Sequence, residues 1–386
     1  MDFNLTDDQR QLQDSVRRFA QAELPALAIE TEETGHPIND TWMRRYADLG
    51  VLGVNTREDH GGLGLPHLDA FLVMEEFAKV SVGVAFPVFE TSAGPVRIVE
   101  ALGHPDLAAR VVPASVQGKM MVAICMSEPG AGTALTDLRT NARIDGDEIV
   151  INGAKRWCSG AGHSQGYVVF CRFDNTPGAK GIGAVFVDKD TPGLTFGPQE
   201  RLMGFRGVPS ADIMLDEVRV PRNHQLIGAG GFSQLMGLFN LERLGNATMA
   251  LGVAAGALEQ VQSYVQERSQ FGKEIIDFQA VQMRLAEMAI KVEASRLMIH
   301  RAAANAGTGL PKSDESAMAK CMANEITREV TIAAMQLMGG YGYAREYGME
   351  RRVRDSFGWG IAGGSIDIQK VNIAAGLIGR RFNQRG

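Results

Sequence analysis

The chain has 386 residues, enough for two or three domains, and its 39 Lys and Arg against 45 Asp and Glu give a net charge of −6. This acidic balance argues against nucleic acid as the main partner. No apolar run approaches the roughly 20 residues of a membrane span, and we expect no membrane partner and no export or transit peptide. The four cysteines have no CxxC spacing and form no Cys/His cluster, so we expect no metal and a cytoplasmic protein with reduced thiols.

Residues 1–119 are predicted to form an N-terminal helical domain. Thr6 and Gln9 fit a capping box, in which the Thr hydroxyl accepts from the N–H three residues on and the Gln side chain reaches back. The first helix is expected to end at Pro25. Two further amphipathic helices are predicted, at residues 42–52 and 68–80.

Residues 120–229 change to a strand pattern and are predicted to form a middle β domain, a small barrel or sandwich. Asp145 and Gly146 predict a hairpin turn, because Asp-Gly tolerates the positive φ angles of a tight reversal. A second turn is predicted at Asn152 and Gly153. Further β-rich runs are at residues 166–172, 183–188 and 213–220.

Residues 230–386 return to helical periodicity and are predicted to form a C-terminal four-helix bundle. Apolar residues recur at helical spacing from Phe278 to Val292, and a helix that starts at Ser313 is predicted to run toward Met338. The order of helices, strands and helices makes this an α+β fold.

The segment Ile124–Thr133 is a strand that ends in a Pro-Gly turn, whose small residues let the backbone approach a flat ligand. By itself this is a loop, and Trp157 by itself is a core residue of a β domain. Together with the order of the whole chain, however, both resemble signatures of the flavin-dependent acyl-CoA dehydrogenase family. The resemblance implies that FAD is lined by Met126, Ser127, Gly132, Thr133, Trp157 and Ser159, with Thr133 also near the CoA thioester.

The segment Glu267–Lys273 resembles a second family signature, in which an Arg and its neighbours reach the FAD of an adjacent subunit. A guanidinium suits this task because its planar fork of donors matches a phosphate. The residues implied in this cofactor contact are Arg268, Gln270, Phe271, Gln279, Gln336, Leu337 and Gly340. A cofactor shared between chains implies an oligomer, which we expect to be a homotetramer.

The segment Gly360–Gln369 resembles the active-site segment of the family, but Gly363 occupies the place of the usual catalytic glutamate. The resemblance implies that the N–H of Gly363 still donates to the thioester oxygen. It also places Ala362 and Gly364 beside the substrate, and Ser365 and Asp367 beside the flavin.

A replacement base is available at Glu242, within the segment Phe239–Leu244. A minority branch of the family, typified by isovaleryl-CoA and long-chain acyl-CoA dehydrogenases, carries its base in this Glu-Arg pair. The alternative is a surface ion pair without a catalytic function. The resemblance also places Phe239, Asn240 and Arg243 in the substrate site.

Glu90 is a third carboxylate, and the resemblance places it near the floor of the acyl pocket. Three interpretations stay open: a contact to a cationic or hydroxylated chain end, an alternative base, or a structural hydrogen-bonded acid. A further departure is that Ala374–Gly376 replaces the Arg that usually helps hold CoA.

We therefore expect an FAD-dependent acyl-CoA dehydrogenase that introduces an α,β double bond into an acyl-CoA substrate and passes electrons to an electron-transfer flavoprotein. Small residues at 362 and 363 favour a branched, cyclic or aryl-substituted acyl chain, and the run is also similar to betainyl-CoA and aryl-succinyl-CoA dehydrogenases. The alternatives are a flavin-dependent monooxygenase on the same fold, which needs no carboxylate base, and a non-catalytic flavoprotein.

Overall fold

The computed structural model describes residues 4–380 and residue 382. The chain begins with helices, then forms a sheet, and ends in a second group of helices. The helices that precede the sheet are α1 (Asp7–Thr34), α2 (Asp40–Asp48), α3 (His67–Val80), α4 (Val82–Ser92), α5 (Pro95–Leu102) and α6 (Pro105–Val116).

Helix α1 starts with the predicted capping box, since the Thr6 side chain and the Gln9 side chain each bond the other residue's N–H. The prediction that α1 ends at Pro25 is wrong, because the helix continues to Thr34. Buried residues on both sides of the proline, Leu24 and Leu27, lie on one apolar stripe. Their burial offsets the roughly 3 kcal/mol that a proline costs inside a helix.

The strands form one connected sheet, in the order β6-β7-β3-β2-β4-β5-β8, with β1 pairing parallel to β4. They are β1 (Val122–Cys125), β2 (Asn141–Asp145), β3 (Glu148–Ser159), β4 (Gly166–Phe173), β5 (Ile182–Asp188), β6 (Leu194–Phe196), β7 (Ser210–Pro221) and β8 (Gln225–Ile227). Alternate residues of β4 face two different apolar clusters: Val168 and Phe170 pack toward α5 and α6, and Tyr167 and Val169 pack within the sheet's other core.

Of the two predicted turns in the sheet, one is confirmed and one is wrong. The hairpin between β2 and β3 turns at Gly146, which has φ +62°. No turn forms at Asn152 and Gly153. There β3 continues through a register shift against β7, so Gly153 is part of a bulge in a long strand.

The last group of helices packs around α9, which contacts α7, α8 and α12. Its members are α7 (Phe232–Glu267), α8 (Gln279–Ala306), α9 (Ser313–Met338), α10 (Gly340–Tyr343), α11 (Met349–Asp355) and α12 (Ile366–Ile378). A small hairpin, β9 (Ser269–Gln270) and β10 (Lys273–Glu274), connects α7 to α8. The helix predicted from Ser313 toward Met338 is confirmed as α9.

The α+β fold class, with a helical part before and after a β-sheet, is thereby confirmed. The chain changes from helix to strand between Val116 and Val122, and from strand to helix between Ile227 and Phe232. The domain boundaries at residues 119/120 and 229/230 stay predictions. In the described part of the chain, no helix has the length and apolar character of a membrane span.

Candidate active site

The turn at residues 362–364 contains Gly363, which occupies the place of the glutamate expected from the family resemblance. This turn is held by a buried lysine on α9. Lys320 is fully buried, and its Nζ donates to the carbonyl oxygens of Ala362, Gly363 and Gly364 at 2.5, 2.8 and 2.8 Å. Three acceptors match the three N–H donors of an ammonium group. A side chain at 363 would begin 3.2 Å from this nitrogen, and Gly363 has φ +65°, so the turn requires glycine there.

A pair of asparagines fixes the same turn from α7. Asn246 Nδ2 donates to the carbonyls of Trp359 and Ala362 at 3.1 and 3.5 Å. Asn324, one helical turn after Lys320 on α9, donates to Asn246 Oδ1 at 3.0 Å. The backbone of the turn is therefore anchored to two helices at once.

Glu242 lies one helical turn before Asn246 on α7, and so on the face that meets this turn. Its Oε2 is buried and has no hydrogen-bond partner. Burial raises the pKa of Glu242 to about 8, and the positive charges of Lys320 and Arg243 act in the opposite direction. A buried, unpartnered carboxyl whose pKa lies near neutrality is suited to exchange a proton.

Glu90, on α4, is the second acid of the site. Its side chain is 3% exposed, and its Oε2 also has no hydrogen-bond partner. Burial raises the pKa of Glu90 well above its usual range, and Glu242 and Cys158, when ionised, add to that effect. Glu90 is thus near Glu242 of α7 and Cys158 of β3.

The remaining predicted substrate residues of α7 bind each other. Arg243 Nη1 donates to Asn240 Oδ1 at 2.5 Å, and its guanidinium lies 5.4 Å from the centre of the Phe239 ring. Asn240 Nδ2 donates to the carbonyl of Pro311 at 3.4 Å. The Phe239 ring reaches within 3.8 Å of the position that a side chain at Gly363 would occupy.

The loop after β1, which carries Met126, Ser127, Gly132 and Thr133, is fastened to β3 by a buried ion pair. Lys155 Nζ binds Glu128 Oε1 at 2.8 Å and the carbonyl of Met126 at 3.2 Å. Glu128 in turn accepts the backbone N–H groups of residues 139 and 140 at 2.6 and 2.8 Å. Gly132 is exposed and has open space around it, so the loop offers accessible backbone groups.

Trp157 is held beside this loop in a strained conformation. It has φ +60°, unusual for a bulky residue, and its side chain is 53% exposed. The register shift of β3 against β7 at this point turns the indole outward, and the Arg156 guanidinium lies 4.2 Å from its ring centre. Arg156 N–H donates to the carbonyl of Ser127 at 2.9 Å, which joins the two segments. Strain of this kind concentrates at functional sites.

The residues of the second signature lie elsewhere in the chain. Arg268 follows the last residue of α7, 26 residues beyond Glu242 and hence about 39 Å away along the helix. Its guanidinium lies 5.6 Å from the ring centre of Tyr341, and nearby Phe271 is 94% exposed with φ +53°. Gln270, Gln279, Gln336 and Gly340 are also exposed and Leu337 is half-buried; we call Arg268 and these residues the Arg268 cluster.

The structure brings Glu90, Glu242 and the turn at 362–364 together, with Ser159 next to Cys158 on the adjoining strand. Ser365 caps α12 by accepting the N–H of Ile368 at 3.4 Å, and Asp367 is exposed in the first turn of that helix.

Sequence reasoning missed Lys320 and Asn246. A lysine within the apolar stripe of α9 and an asparagine four residues after Glu242 are the signals that mark them.

Known protein families match all three parts of the chain. The family descriptions "Acyl-CoA dehydrogenase, N-terminal domain", "middle domain" and "C-terminal domain" match residues 6–119, 123–218 and 229–378. A 3-sulfinopropanoyl-CoA desulfinase of Paraburkholderia xenovorans is 37% identical over 395 residues, which cover 99% of each chain. A probable acyl-CoA dehydrogenase of Mycobacterium tuberculosis, FadE25, is 34% identical over 97% of each chain.

Solved structures agree with this assignment. Butyryl-CoA dehydrogenase from Megasphaera elsdenii has a TM-score of 0.93 at 30% identity, with 98% of this chain and all of that chain covered. PigA, solved with FAD and proline, has a TM-score of 0.92 at 26% identity and covers 98% of this chain and 99% of its own. The chain belongs to the acyl-CoA dehydrogenase family.

Proposed function

We propose that this protein is an FAD-dependent acyl-CoA dehydrogenase that introduces an α,β double bond into an acyl-CoA thioester, with Glu242 as the base. The observation that carries the proposal is the buried Glu242 carboxyl, which has an unpartnered oxygen and lies beside the turn at 362–364. An ion pair or hydrogen bond that would explain this acid structurally is not found among the described residues. The α-proton of a thioester is weakly acidic, so its removal needs such a positioned carboxylate.

The residues present fit a flavin. The outward, strained indole of Trp157 and the open glycine loop beside it form an accessible surface of the kind that a flat ring covers. Met126, Ser127, Thr133 and Ser159 would contact the flavin from this loop and strand, as expected from the family resemblance. FAD, when bound, supplies the acceptor for the hydride that leaves the β-carbon.

The chain's own residues supply the proton chemistry. Glu242 Oε2 takes the α-proton, and burial of the carboxyl keeps water from competing for it. Negative charge then builds on the thioester oxygen, toward which we expect the N–H of Gly363 to donate. Lys320 holds that N–H in place, because its Nζ binds the carbonyl oxygens of Ala362, Gly363 and Gly364.

The distance between Glu242 and Arg268 supports an oligomer. One dinucleotide does not extend along about 39 Å of α7, so the Arg268 cluster is not suited to the flavin of its own chain. We propose that this cluster, with Gln279 and Gln336, contacts the FAD bound by a neighbouring subunit in a homotetramer. Electron-transfer flavoprotein is proposed as the electron acceptor on the family resemblance alone.

The acyl group is proposed to be branched, cyclic or aryl-substituted, because Ala362 and Gly363 leave space beside the reacting carbons. The desulfinase relative suggests a sulfinate-bearing chain as a competing substrate. Glu90 and Glu242 work against such an anionic chain end, since both are buried acids. A monooxygenase needs no base, so an unpartnered Glu242 also favours the dehydrogenase.

The test is anaerobic reduction of the bound flavin by a panel of branched, linear, aryl-substituted and sulfinate-bearing acyl-CoA esters. The dehydrogenase proposal predicts that a saturated ester bleaches the flavin and yields the 2-enoyl-CoA, with branched esters faster than butyryl-CoA. A flavin that no thioester bleaches, but that reacts with oxygen to hydroxylate a substrate once reduced by a nicotinamide, contradicts it.

A further inference from the structure

Glu90 and the proposed base Glu242 differ from the other buried acids of the described chain, because those others have partners. Glu75 binds Arg296 at 2.8 Å, and Glu128 binds Lys155 at 2.8 Å. The remaining pairs are Asp69 with Gln9, Glu76 with Arg17 and Lys79, Glu100 with Arg97, Glu315 with Arg301, and Asp355 with the N–H of Phe205. Within residues 4–380, no hydrogen bond or ion pair to Glu90 is found.

An orphaned buried carboxyl is costly to a fold. Leaving such a group unsatisfied costs about 1–3 kcal/mol, and more if it is charged. The titratable groups that act on Glu90 are Glu242 from α7 and Cys158 from β3, and neither can be a cation. Lys320 and Arg243 act on Glu242 instead, and Lys320 is fully engaged with the turn at 362–364.

The position of Glu90 points to the acyl chain. α4 and α7 approach closely, since a side chain at Gly245 would begin 2.5 Å from Ala93 and 3.1 Å from Phe89. Glu90 therefore lies on a helix that packs against α7, which carries the proposed base, and it is near Glu242 and near Cys158, the neighbour of Trp157 on β3. Phe89, the residue before Glu90 on α4, has its ring centre 5.0 Å from that of Trp359.

We propose that Glu90 binds a positively charged group on the acyl chain, so that the substrate is a CoA ester with an ammonium or quaternary ammonium end. This inference rests on the proposed function and names its substrate class. A cation is the chain end that neutralises two neighbouring acids. An apolar end would leave Glu90 unsatisfied, and an anionic end would meet two carboxyls.

The same cation would help the proposed base. A positive charge near Glu90 and Glu242 favours the ionised form of both carboxyls, so binding releases protons and prepares Glu242 to accept the α-proton. A neutral ester of the same shape lacks this effect. The preference for a cationic ester should therefore appear in two measurements: a tighter binding affinity and a release of protons on binding.

The experiment uses 2-enoyl-CoA esters. They already carry the α,β double bond and cannot be dehydrogenated there, so binding is measured apart from dehydrogenation. A trimethylammonio end is compared with a tert-butyl end, its carbon isostere, and with hydroxyl and carboxylate ends, at two to four methylenes from the double bond. Binding to the FAD-loaded enzyme is followed by the flavin spectrum and by calorimetry in two buffers of different ionisation enthalpy. The wild type is expected to prefer the cation over the tert-butyl ester by about tenfold or more, with net proton release.

The variants identify the residue responsible. Glu90→Gln is expected to lose most of the preference and the proton release, whereas Glu90→Asp keeps part of both. Asp69→Asn removes a buried acid outside the site, bonded to Gln9, and should keep the wild-type ratio. Equal or tighter binding of the tert-butyl, hydroxyl or carboxylate ester by the wild type overturns the inference, as does an unchanged ratio in Glu90→Gln.

The outcomes separate the two proposals. If saturated neutral esters bleach the flavin while no ester shows a charge preference, the dehydrogenase proposal stands and the Glu90 inference fails. If the cationic enoyl ester binds selectively but no saturated ester bleaches the flavin, Glu90 recognises a cation and the dehydrogenase proposal fails.

Discussion

Replacing Glu242 by Gln should slow the enzyme and stabilise the fold at the same time. The Oε2 of Glu242 has no hydrogen bond to lose, and Gln has the shape of the protonated acid. Burial raises the pKa of Glu242 from the ordinary 4.5 to about 8, so the folded protein keeps a proton that the unfolded chain releases above pH 4.5. The contribution of Glu242 to wild-type stability therefore falls as pH rises from about 4.5 to about 8, and Gln removes this loss.

The magnitude follows from the two pKa values at 1.36 kcal/mol per unit: the variant gains about 2 kcal/mol at pH 6 and about 4 kcal/mol at pH 8. For 386 residues this corresponds to about 2–3 °C and about 5 °C in the Tm. Thermal unfolding at equal protein and FAD concentrations measures the gain, and anaerobic stopped-flow should show flavin reduction slowed by about 10²–10⁴-fold.

Glu75→Gln is the matched control, a buried acid whose pKa Arg296 lowers despite the opposing effect of burial. Because a lowered pKa contributes stability above the unfolded pKa, this variant should lose Tm at both pH values. A Glu242→Gln variant that loses stability between pH 6 and pH 8, or that reduces its flavin at the wild-type rate, would contradict the role of Glu242 as a buried base.

Four further variants test the surrounding structure. Lys320→Met removes a group whose positive charge lowers the pKa of Glu242, so the rise of the reduction rate with pH should shift to higher pH. The difference should be largest below pH 7, because burial lowers the pKa of Lys320 itself to about 7; an unchanged profile contradicts this. Gly363→Ala forces a side chain into φ +65° within 3.2 Å of Lys320, and should cost about 1 kcal/mol in thermal unfolding; wild-type stability would show that the turn tolerates it. Trp157→Ala should weaken FAD binding about tenfold in fluorescence titrations of the apoprotein, and equal affinity would exclude stacking on this indole. Arg268→Ala should lower the FAD retained per subunit on size-exclusion chromatography, and a fully loaded oligomer would remove Arg268 from the cofactor contact.

Much of the fold was predictable because the patterns are local. The Thr6–Gln9 cap, the turn at Gly146 and the helix from Ser313 each depend on residues within one or two turns of chain. The predictions at Pro25 and Gly153 were wrong for the same reason. At both positions long-range packing keeps an element going through a residue that, judged locally, should end it.

The residues of the candidate site could be predicted only where they belong to a recognisable sequence motif. Glu242 and Gly363 follow from a family pattern, whereas Lys320 and Asn246 lie far apart in sequence and meet only when α7 and α9 pack. Whether Glu90 has a partner also depends on residues across three elements, and no sequence pattern contains that information. The strained φ of Trp157 likewise arises from a register shift between distant strands.

The removal of the α-proton by Glu242 is tested most directly by hydrogen exchange in D₂O. NMR monitors this exchange on a CoA ester that carries sulfur in place of the β-carbon. Such an ester has no β-hydrogen to lose, so proton removal is observed without any redox step. We expect the wild type to exchange the α-protons of the bound ester, and we expect that Glu242→Gln, although it binds the ester, does not. Exchange at the wild-type rate in Glu242→Gln would show that another group removes the proton.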